Sequence, residues 1–252
     1  MVSSRLRIGT SGFSYRDWLG NFYPQFCPQA DFLKFYASQF ATVELDVSYY
    51  RIPAEAMVKR WVEVTPSHFV FAAKFPRTVT HEGDRSARLE AAAEFASVMR
   101  GLGPKLGPLL LQFPYSFKPD QRPLLETIID SVPTDLRLSV EVRNRNWLCE
   151  DFYALLKRRN VSLCLVDHPW MPRLAVQTAD FHYVRFLGDR KKISEDFSYV
   201  RNERTDDLAW WSDLLKRFSG SPVDIYAYFN NHYSGHAPTS AVQLQKLMES
   251  GS

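Results

Sequence analysis

Cysteine is scarce in this sequence. Cys27, Cys149 and Cys164 are the only three in 252 residues, and no two share a CxxC spacing. That excludes a disulfide scaffold, a zinc ribbon and a dithiol redox motif, and free thiols point to a reducing compartment. Histidine is also rare: there are six, with no HxH or HExxH arrangement, which speaks against the common zinc centres. No apolar run approaches the length of a membrane span, and the opening MVSSRLRIGTSG lacks an apolar stretch of signal-peptide length. The expectation is a soluble cytoplasmic protein with no membrane partner. Charge of one sign is missing as well, since 31 Lys and Arg face 28 Asp and Glu for a net charge of +3. The chain is neither a histone-like polycation nor an acidic tail, although net charge averages over the surface and allows a local basic site. Low-complexity tracts, Gly/Ser linkers and short repeats are absent from the sequence.

What is present is a large apolar core in the making: 45% hydrophobic and 14% aromatic residues. Short apolar runs predict eight strands at Arg7–Gly12, Thr42–Tyr50, Phe69–Pro76, Pro108–Pro114, Arg137–Asn144, Val161–His168, Phe181–Gly188 and Val223–Asn231. Helical patterns fall between most of them, at Asp31–Phe40, Ala54–Val64, Arg88–Leu102, Pro123–Ser131, Asp151–Arg159, Asp206–Phe218 and Ala241–Glu249. Only the sixth gap lacks one, because Pro169-Trp170-Met171-Pro172 breaks any helix there. This alternation, over about 250 residues, predicts an α/β fold. The expectation is one TIM-like (β/α)8 barrel domain over residues 1–252, with the helix between strands six and seven missing or irregular. A doubly wound open sheet is the rival. Gly9-Thr10-Ser11-Gly12 does not form the GxGxxG turn that such a sheet usually carries.

Strands of such a barrel are covered outside and packed inside, so a polar face along a strand points into the barrel mouth. The second strand alternates Glu44, Asp46 and Ser48 with Val43, Leu45 and Val47; the fifth alternates Ser139, Glu141 and Arg143 with Leu138, Val140 and Val142. Other strands end in single polar groups: Lys74, Gln112, Asp167, Arg185 and Asn230. Buried charge is costly unless paired or used. One reading is a lattice of interior ion pairs, but apolar packing would often serve stability equally well. The other is an active site at the strand C-termini. Four acids (Glu44, Asp46, Glu141, Asp167) face three bases (Lys74, Arg143, Arg185), a near-balance that argues against a multi-metal centre. No cofactor is expected, and Mg²⁺ or Mn²⁺ is the metal alternative. General acid–base chemistry suits the set better, with Arg143 as the counter-charge of Glu141.

Bases and aromatics recur on the loops that follow these strands. Tyr15 and Trp18 follow the first, Tyr49, Tyr50 and Arg51 the second, Arg77 and His81 the third, Asn144, Arg145 and Trp147 the fifth, and Tyr233 the eighth. Such interleaving suits stacking combined with phosphate contact. Barrels of this type often bind phosphate after strands seven and eight, where Arg185, Gly188, Asn231 and Gly235 stand.

The same segments carry a resemblance. GTSGFSYRDW (Gly9–Trp18), VELDVSYYRIP (Val43–Pro53), FAAKFPRTVTH (Phe71–His81), LLLQFPYSF (Leu109–Phe117), EVRNRNW (Glu141–Trp147), Asp167-His168-Pro169 and YFNNHYSGHA (Tyr228–Ala237) occur in this order. Together they resemble the YecE-like family, a domain of unknown function of DUF72 type, over nearly the whole chain. The resemblance implies a TIM-like barrel. Fold-level analogy with metal-dependent nucleases and sugar isomerases adds nucleic-acid or phosphoester work. Phe13 stands here where Trp is usual, Asp46 and Ser240 where Asn is usual, and Asn144 where His is usual. A mechanism that needs an imidazole at Asn144 is therefore not expected, whereas Asp46 adds negative charge beside Glu44.

These readings converge on an enzyme acting at the barrel mouth on a phosphate-bearing substrate, in one form a phosphodiester. Glu141 is the expected general base, supported by Glu44 and Asp167. Lys74, Arg143 and Arg185 would hold the anion, with Lys74 also able to relay protons. Tyr50 and Trp147 would stack on the ligand, and Arg51, Gln112, Asp46, Asn230 and Asn231 would complete its contacts. The alternatives are a metal-independent isomerase or lyase of sugar phosphates and a non-catalytic nucleic-acid-binding module. The expected partners are accordingly a small phosphorylated ligand or nucleic acid, and nothing in the pattern fixes an oligomeric state.

Overall fold

The runs rich in Val, Leu, Phe and Ile become eight strands: β1 (Leu6–Thr10), β2 (Thr42–Leu45), β3 (Val70–Lys74), β4 (Leu106–Gln112), β5 (Leu138–Glu141), β6 (Ser162–Asp167), β7 (Phe181–Phe186) and β8 (Asp224–Phe229). Between them lie α1 (Phe32–Gln39), α2 (Glu55–Val64), α3 (Arg77–Thr80), α4 (Arg85–Met99), α5 (Arg122–Ser131), α6 (Glu150–Arg158) and α7 (Thr205–Ser219), and α8 (Ala237–Glu249) follows β8. The computed structural model describes residues 5–250. The strands follow the order β1-β8-β7-β6-β5-β4-β3-β2, and the fold is the α/β, TIM-like (β/α)8 type with parallel strands. Every residue of β2 through β7 is buried apart from the first of β4. That is the mark of parallel strands covered on both faces.

Contacts within the chain define two units. The first comprises Met1–Val43, Leu165–Val176 and Asp180–Ser252; the second comprises Glu44–Cys164 and Gln177–Ala179. In the first, β8 pairs in parallel with β1 and with β7, placing Gly9 and Arg185 opposite Tyr228. Its core is aromatic: Phe186 stacks on Phe229 with centroids 4.0 Å apart, and Trp211 of α7 meets Phe186 edge-on at 5.3 Å. In the second, β4 pairs in parallel with β3 and with β5, placing Gln112 opposite Glu141. Phe117 stacks between Phe113 and Trp147 at 4.1 and 5.5 Å. Burying a Phe side chain contributes about 1.5–3 kcal/mol, so these clusters hold each unit together.

Three elements depart from expectation. The second strand stops at Leu45, not Tyr50, and a 3-10 turn over Val47–Tyr49 follows. Ser48 causes the stop: its hydroxyl donates to the Leu45 carbonyl at 2.8 Å and to the Lys74 carbonyl at 2.6 Å. A side chain that satisfies local backbone competes with the ladder. The alternating face of Glu44, Asp46 and Ser48 therefore does not form. Similarly, β5 ends at Glu141, so Arg143 belongs to the following loop. The short α3 after Pro76 was not expected from the sequence pattern. Between β6 and β7 no helix forms among the described residues. Within that connection, Thr178 uses its hydroxyl to donate to the Val161 carbonyl and to accept from the Leu163 amide, each at 2.7 Å.

Candidate active site

In the second unit β3, β4 and β5 end in the buried polar side chains Lys74, Gln112 and Glu141, and Glu44 stands one residue before the end of β2. Glu44 and Glu141 are fully buried, and Lys74 and Gln112 nearly so. Glu141 forms an ion pair with Arg143 Nε through Oε1, while Cys164 Sγ lies 3.8 Å from Oε2 as a thiol donor. The Lys74 ammonium rests on the Tyr49 ring, 3.7 Å from its centroid, in favourable cation–π geometry. Gln112 donates to the Phe113 carbonyl at 2.8 Å. Asp46 starts the 3-10 turn, and its carbonyl accepts from the Tyr49 amide at 3.1 Å. Tyr50 is exposed, with its ring edge-on to Tyr49 at 5.3 Å. Arg51 lines a surface hollow of about 420 Å³ with Pro53, Glu55, Met57, Glu94 and Val98.

Trp147 is not a stacking surface. It is 2% exposed, Phe117 and Phe152 pack against its ring at 5.5 and 5.0 Å, and its Nε1 donates to the Phe117 carbonyl at 2.8 Å. Burying the aromatic ring while satisfying its single N–H makes it a core residue. Asn144, in the place where an imidazole is usual, caps the next turn: Oδ1 accepts from the Asn146 amide at 3.0 Å and Nδ2 donates to the Tyr115 carbonyl at 3.2 Å.

In the first unit the centre of polar contacts is Asp167, the last residue of β6. Its Oδ2 accepts from Trp211 Nε1 at 2.6 Å, Arg173 at 3.0 Å and the Tyr233 hydroxyl at 3.5 Å. All three bonds fall on one oxygen, and Oδ1 takes no hydrogen bond among the described residues. Arg173 also pairs with Asp207, whose second oxygen accepts from Arg204 at 2.9 Å. Burial raises the Asp167 pKa; the Trp211 bond and Arg173 oppose that rise, and Asp207 adds to it. For Asp207 the two arginine hydrogen bonds outweigh burial and lower the pKa. Arg173, Asp207, Arg204 and Trp211 are missing from the sequence-based candidates. One signal was available: Asp207 and Trp211 are four residues apart, which puts them on one face of α7.

The phosphate site expected after strands seven and eight is not formed as anticipated. Asn231 Oδ1 accepts from the Ala237 amide at 3.1 Å and from Trp18 Nε1 at 3.1 Å. His236 Nδ1 accepts from the Thr239 amide at 3.3 Å, and Pro238 has no N–H. The first donors of α8, which a phosphate would need, are thus consumed by its own caps. Asn230 caps the preceding 3-10 turn through the His232 amide at 3.1 Å. Gly188 and Gly235 have positive φ, and a Cβ on either would collide with a carbonyl, that of His232 or Tyr199 respectively. Their role is close backbone approach. Arg185, within β7, is 3% exposed.

A TIM-like barrel with buried polar groups at its strand ends is thereby defined. The family described as Protein of unknown function DUF72 matches residues 7–252, and the chain belongs to it. Among curated relatives, YecE of Escherichia coli (strain K12) is 30% identical over 181 residues, covering 62% of this chain and 66% of that protein. The crystal structure of a DUF72 family protein, TM1631 from Thermotoga maritima, superposes with a TM-score of 0.83 at 31% identity, covering 97% of this chain and 99% of the other. A more distant likeness, of fold alone, is to the 3-keto-D-glucoside 4-epimerase YcjR from E. coli, with a TM-score of 0.52 at 10% identity, over 96% of this chain and 99% of that one.

Proposed function

We propose that this protein is an enzyme that performs general acid–base chemistry on a small phosphate-bearing substrate at the strand ends of the second unit. One observation carries the reading: Glu141 is fully buried at the end of β5 and ion-paired to Arg143, whose side chain is 23% exposed. Leaving a carboxylate unpaired there would be costly. The outer partner is the one that an anionic substrate meets first. A phosphate that draws the Arg143 guanidinium to itself weakens one tie on the Glu141 carboxylate, which then accepts a proton from the substrate. Rotamer changes of this size are common on binding. Lys74 supplies a second cation and a proton source. In this reading Asp167, in the first unit, is a supporting carboxylate with one oxygen anchored and one open.

The reaction type favoured is proton transfer of isomerase or lyase kind. The epimerase YcjR shows only that the fold can host such chemistry. Hydrolysis of a phosphodiester is the variant for the same residues. The test is turnover against a panel of sugar phosphates and phosphodiesters, with Glu141→Gln as the key variant. A folded Glu141→Gln protein should lose at least about 100-fold in kcat; unchanged turnover would remove Glu141 from the mechanism.

A nucleic-acid-binding role has its own support. Tyr50 and Tyr115 are 75% and 66% exposed on the loops after β2 and β4, and exposed rings beside bases suit single-strand stacking. Oligonucleotide binding that weakens steeply with salt would favour it.

A further inference from the structure

The polar contacts around Asp167 close into a ring within the first unit. Arg173 Nη2 donates to Asp167 Oδ2 at 3.0 Å and also to Asp207 Oδ1. Asp207 Oδ2 accepts from Arg204 Nη1 at 2.9 Å. The Arg204 guanidinium lies over the Tyr233 ring, 4.9 Å from its centroid, and its Nε donates to the Tyr233 carbonyl at 3.1 Å. The Tyr233 hydroxyl returns to Asp167 at 3.5 Å. Two carboxylates and two guanidiniums thus pair inside one cluster, and their charges cancel.

This pairing uses one oxygen of Asp167 and one nitrogen of Arg173. Asp167 Oδ1, Arg173 Nε and Arg173 Nη1 make no hydrogen bond among the described residues. None of the three is sealed in. The fully buried side-chain nitrogens and oxygens without a partner among the described residues are His182 Nε2, Asn231 Nδ2 and His236 Nε2. Solvent therefore reaches the second oxygen of Asp167 and the remaining N–H groups of Arg173, whose side chain is 30% exposed. An open acceptor and open donors stand side by side on one ion pair. The Trp210 ring lies against the same guanidinium, its centroid 5.4 Å from Arg173 Cζ, and Trp210 is 37% exposed.

The ligand that matches such a surface has no net charge. An anion on Arg173 would meet Asp167 and Asp207, and a cation on Asp167 would meet Arg173, so repulsion offsets attraction in both cases. A hydroxyl both donates and accepts. One hydroxyl can donate to Asp167 Oδ1 while its neighbour accepts from Arg173, and the carbon skeleton between them has the apolar body of Trp210 to rest on. We propose that Asp167, Arg173 and Trp210 bind an uncharged polyhydroxylated group, a sugar ring or a cyclic polyol. The site lies wholly in the first unit. It gives the supporting carboxylate of the proposed function a defined task, and it rests on that reading only for the polyol being part of the substrate; the binding itself does not need Glu141.

The test titrates D-ribose, D-glucose and myo-inositol into the full chain and follows the indole N–H signals of its six tryptophans by NMR. Trp211 Nε1 is bonded to Asp167 Oδ2, so its signal reports on what Oδ1 takes up, and Trp211→Phe identifies it by deletion. At least one polyol should shift the Trp210 and Trp211 signals saturably and leave Trp61 and Trp147, both in the other unit, where they are. Arg173→Lys keeps a cation between the two carboxylates and loses the outward N–H groups of the fork. It should weaken polyol binding about tenfold. Trp210→Ala leaves every bond to Asp167 in place and should weaken binding severalfold. No saturable shift with any of the three polyols would overturn the site, as would an equal shift with 2-propanol, which has a single hydroxyl. Saturation by inorganic phosphate or acetamide but not by the polyols would overturn it too, assigning the pair to an anion or an amide. Unchanged affinity in both variants would remove Arg173 and Trp210 and with them the proposal. The enzyme reading is judged separately by Glu141→Gln: polyol binding at Asp167 alongside turnover that this variant leaves unchanged would keep the site and discard the base.

Discussion

Trp211 Nε1 donates a 2.6 Å hydrogen bond to Asp167 Oδ2, tying the middle of α7 to the last residue of β6. The bond opposes the rise in Asp167 pKa that burial causes. Trp211→Phe keeps most of the ring and removes the donor. The Asp167 pKa should then rise further, readable by carboxyl-carbon NMR. Stability at neutral pH should fall by about 1.5–3 kcal/mol, as for other bonds to charged groups. Because the bond favours the carboxylate, this loss should be greatest above the Asp167 midpoint and shrink as pH falls through it. A loss independent of pH would mean that packing alone was disturbed.

Lys105 closes the C-terminal end of α2. Its ammonium is buried and donates to the Val62 carbonyl at 2.7 Å, the Thr65 carbonyl at 2.7 Å and the Thr65 hydroxyl at 3.0 Å. Cations at that end of a helix satisfy orphan carbonyls and complement the helix dipole. Lys105→Met keeps the stem and strips these donors. Urea denaturation should show a loss of about 1–3 kcal/mol. Arg100→Gln, which breaks the exposed pair with Asp135, should leave the midpoint where it is.

Acid should destabilise the first unit through its histidines. Burial lowers the pKa of both His182 and His236 to about 4, from an ordinary value of 6.5. His182 stacks flat on Phe218 at 3.7 Å, and its buried Nε2 makes no hydrogen bond among the described residues. The unfolded chain binds protons below pH 6.5 that the folded chain refuses. Stability from these groups is full above pH 6.5, falls as pH drops toward 4, and falls no further below that. Each contributes about 2–3 kcal/mol over the window. His182→Phe should flatten the fall without cost at pH 7. An equally steep slope in that variant would place the acid sensitivity elsewhere.

Much of the fold was legible in the order of apolar runs, because parallel strands buried on both faces must be short and apolar. The proline-broken gap before β7 was legible for the same kind of local reason: Pro169 and Pro172 forbid a helix wherever the chain goes. Strand ends were not. Val47 continues the alternation of β2 perfectly well, and only the hydroxyl of Ser48, reaching the Lys74 carbonyl of another strand, ends the strand at Leu45.

The candidate site divides along the same line. Lys74, Gln112, Glu141 and Asp167 could be picked out because a polar residue ending an apolar strand has few other uses. Trp147 could not be told from a ligand-stacking ring, since its burial depends on Phe117, thirty residues away in sequence. Asn231, Gly188 and Gly235 have the composition of a phosphate loop, yet Asn231 Oδ1 is spent on the Trp18 and Ala237 N–H groups and the two glycines serve close backbone approach. Arg173, Asp207 and Arg204 have no local pattern at all.

Residue order alone settled the class of fold, the strand sequence and the polar character of the strand ends, because periodicity and proline act over a few residues. Which of those polar groups pair with one another and which rings stay exposed were decided by the packing. Those outcomes depend on distances between residues far apart in the chain, such as Trp211 to Asp167 or Trp147 to Phe117, and no local pattern encodes such distances.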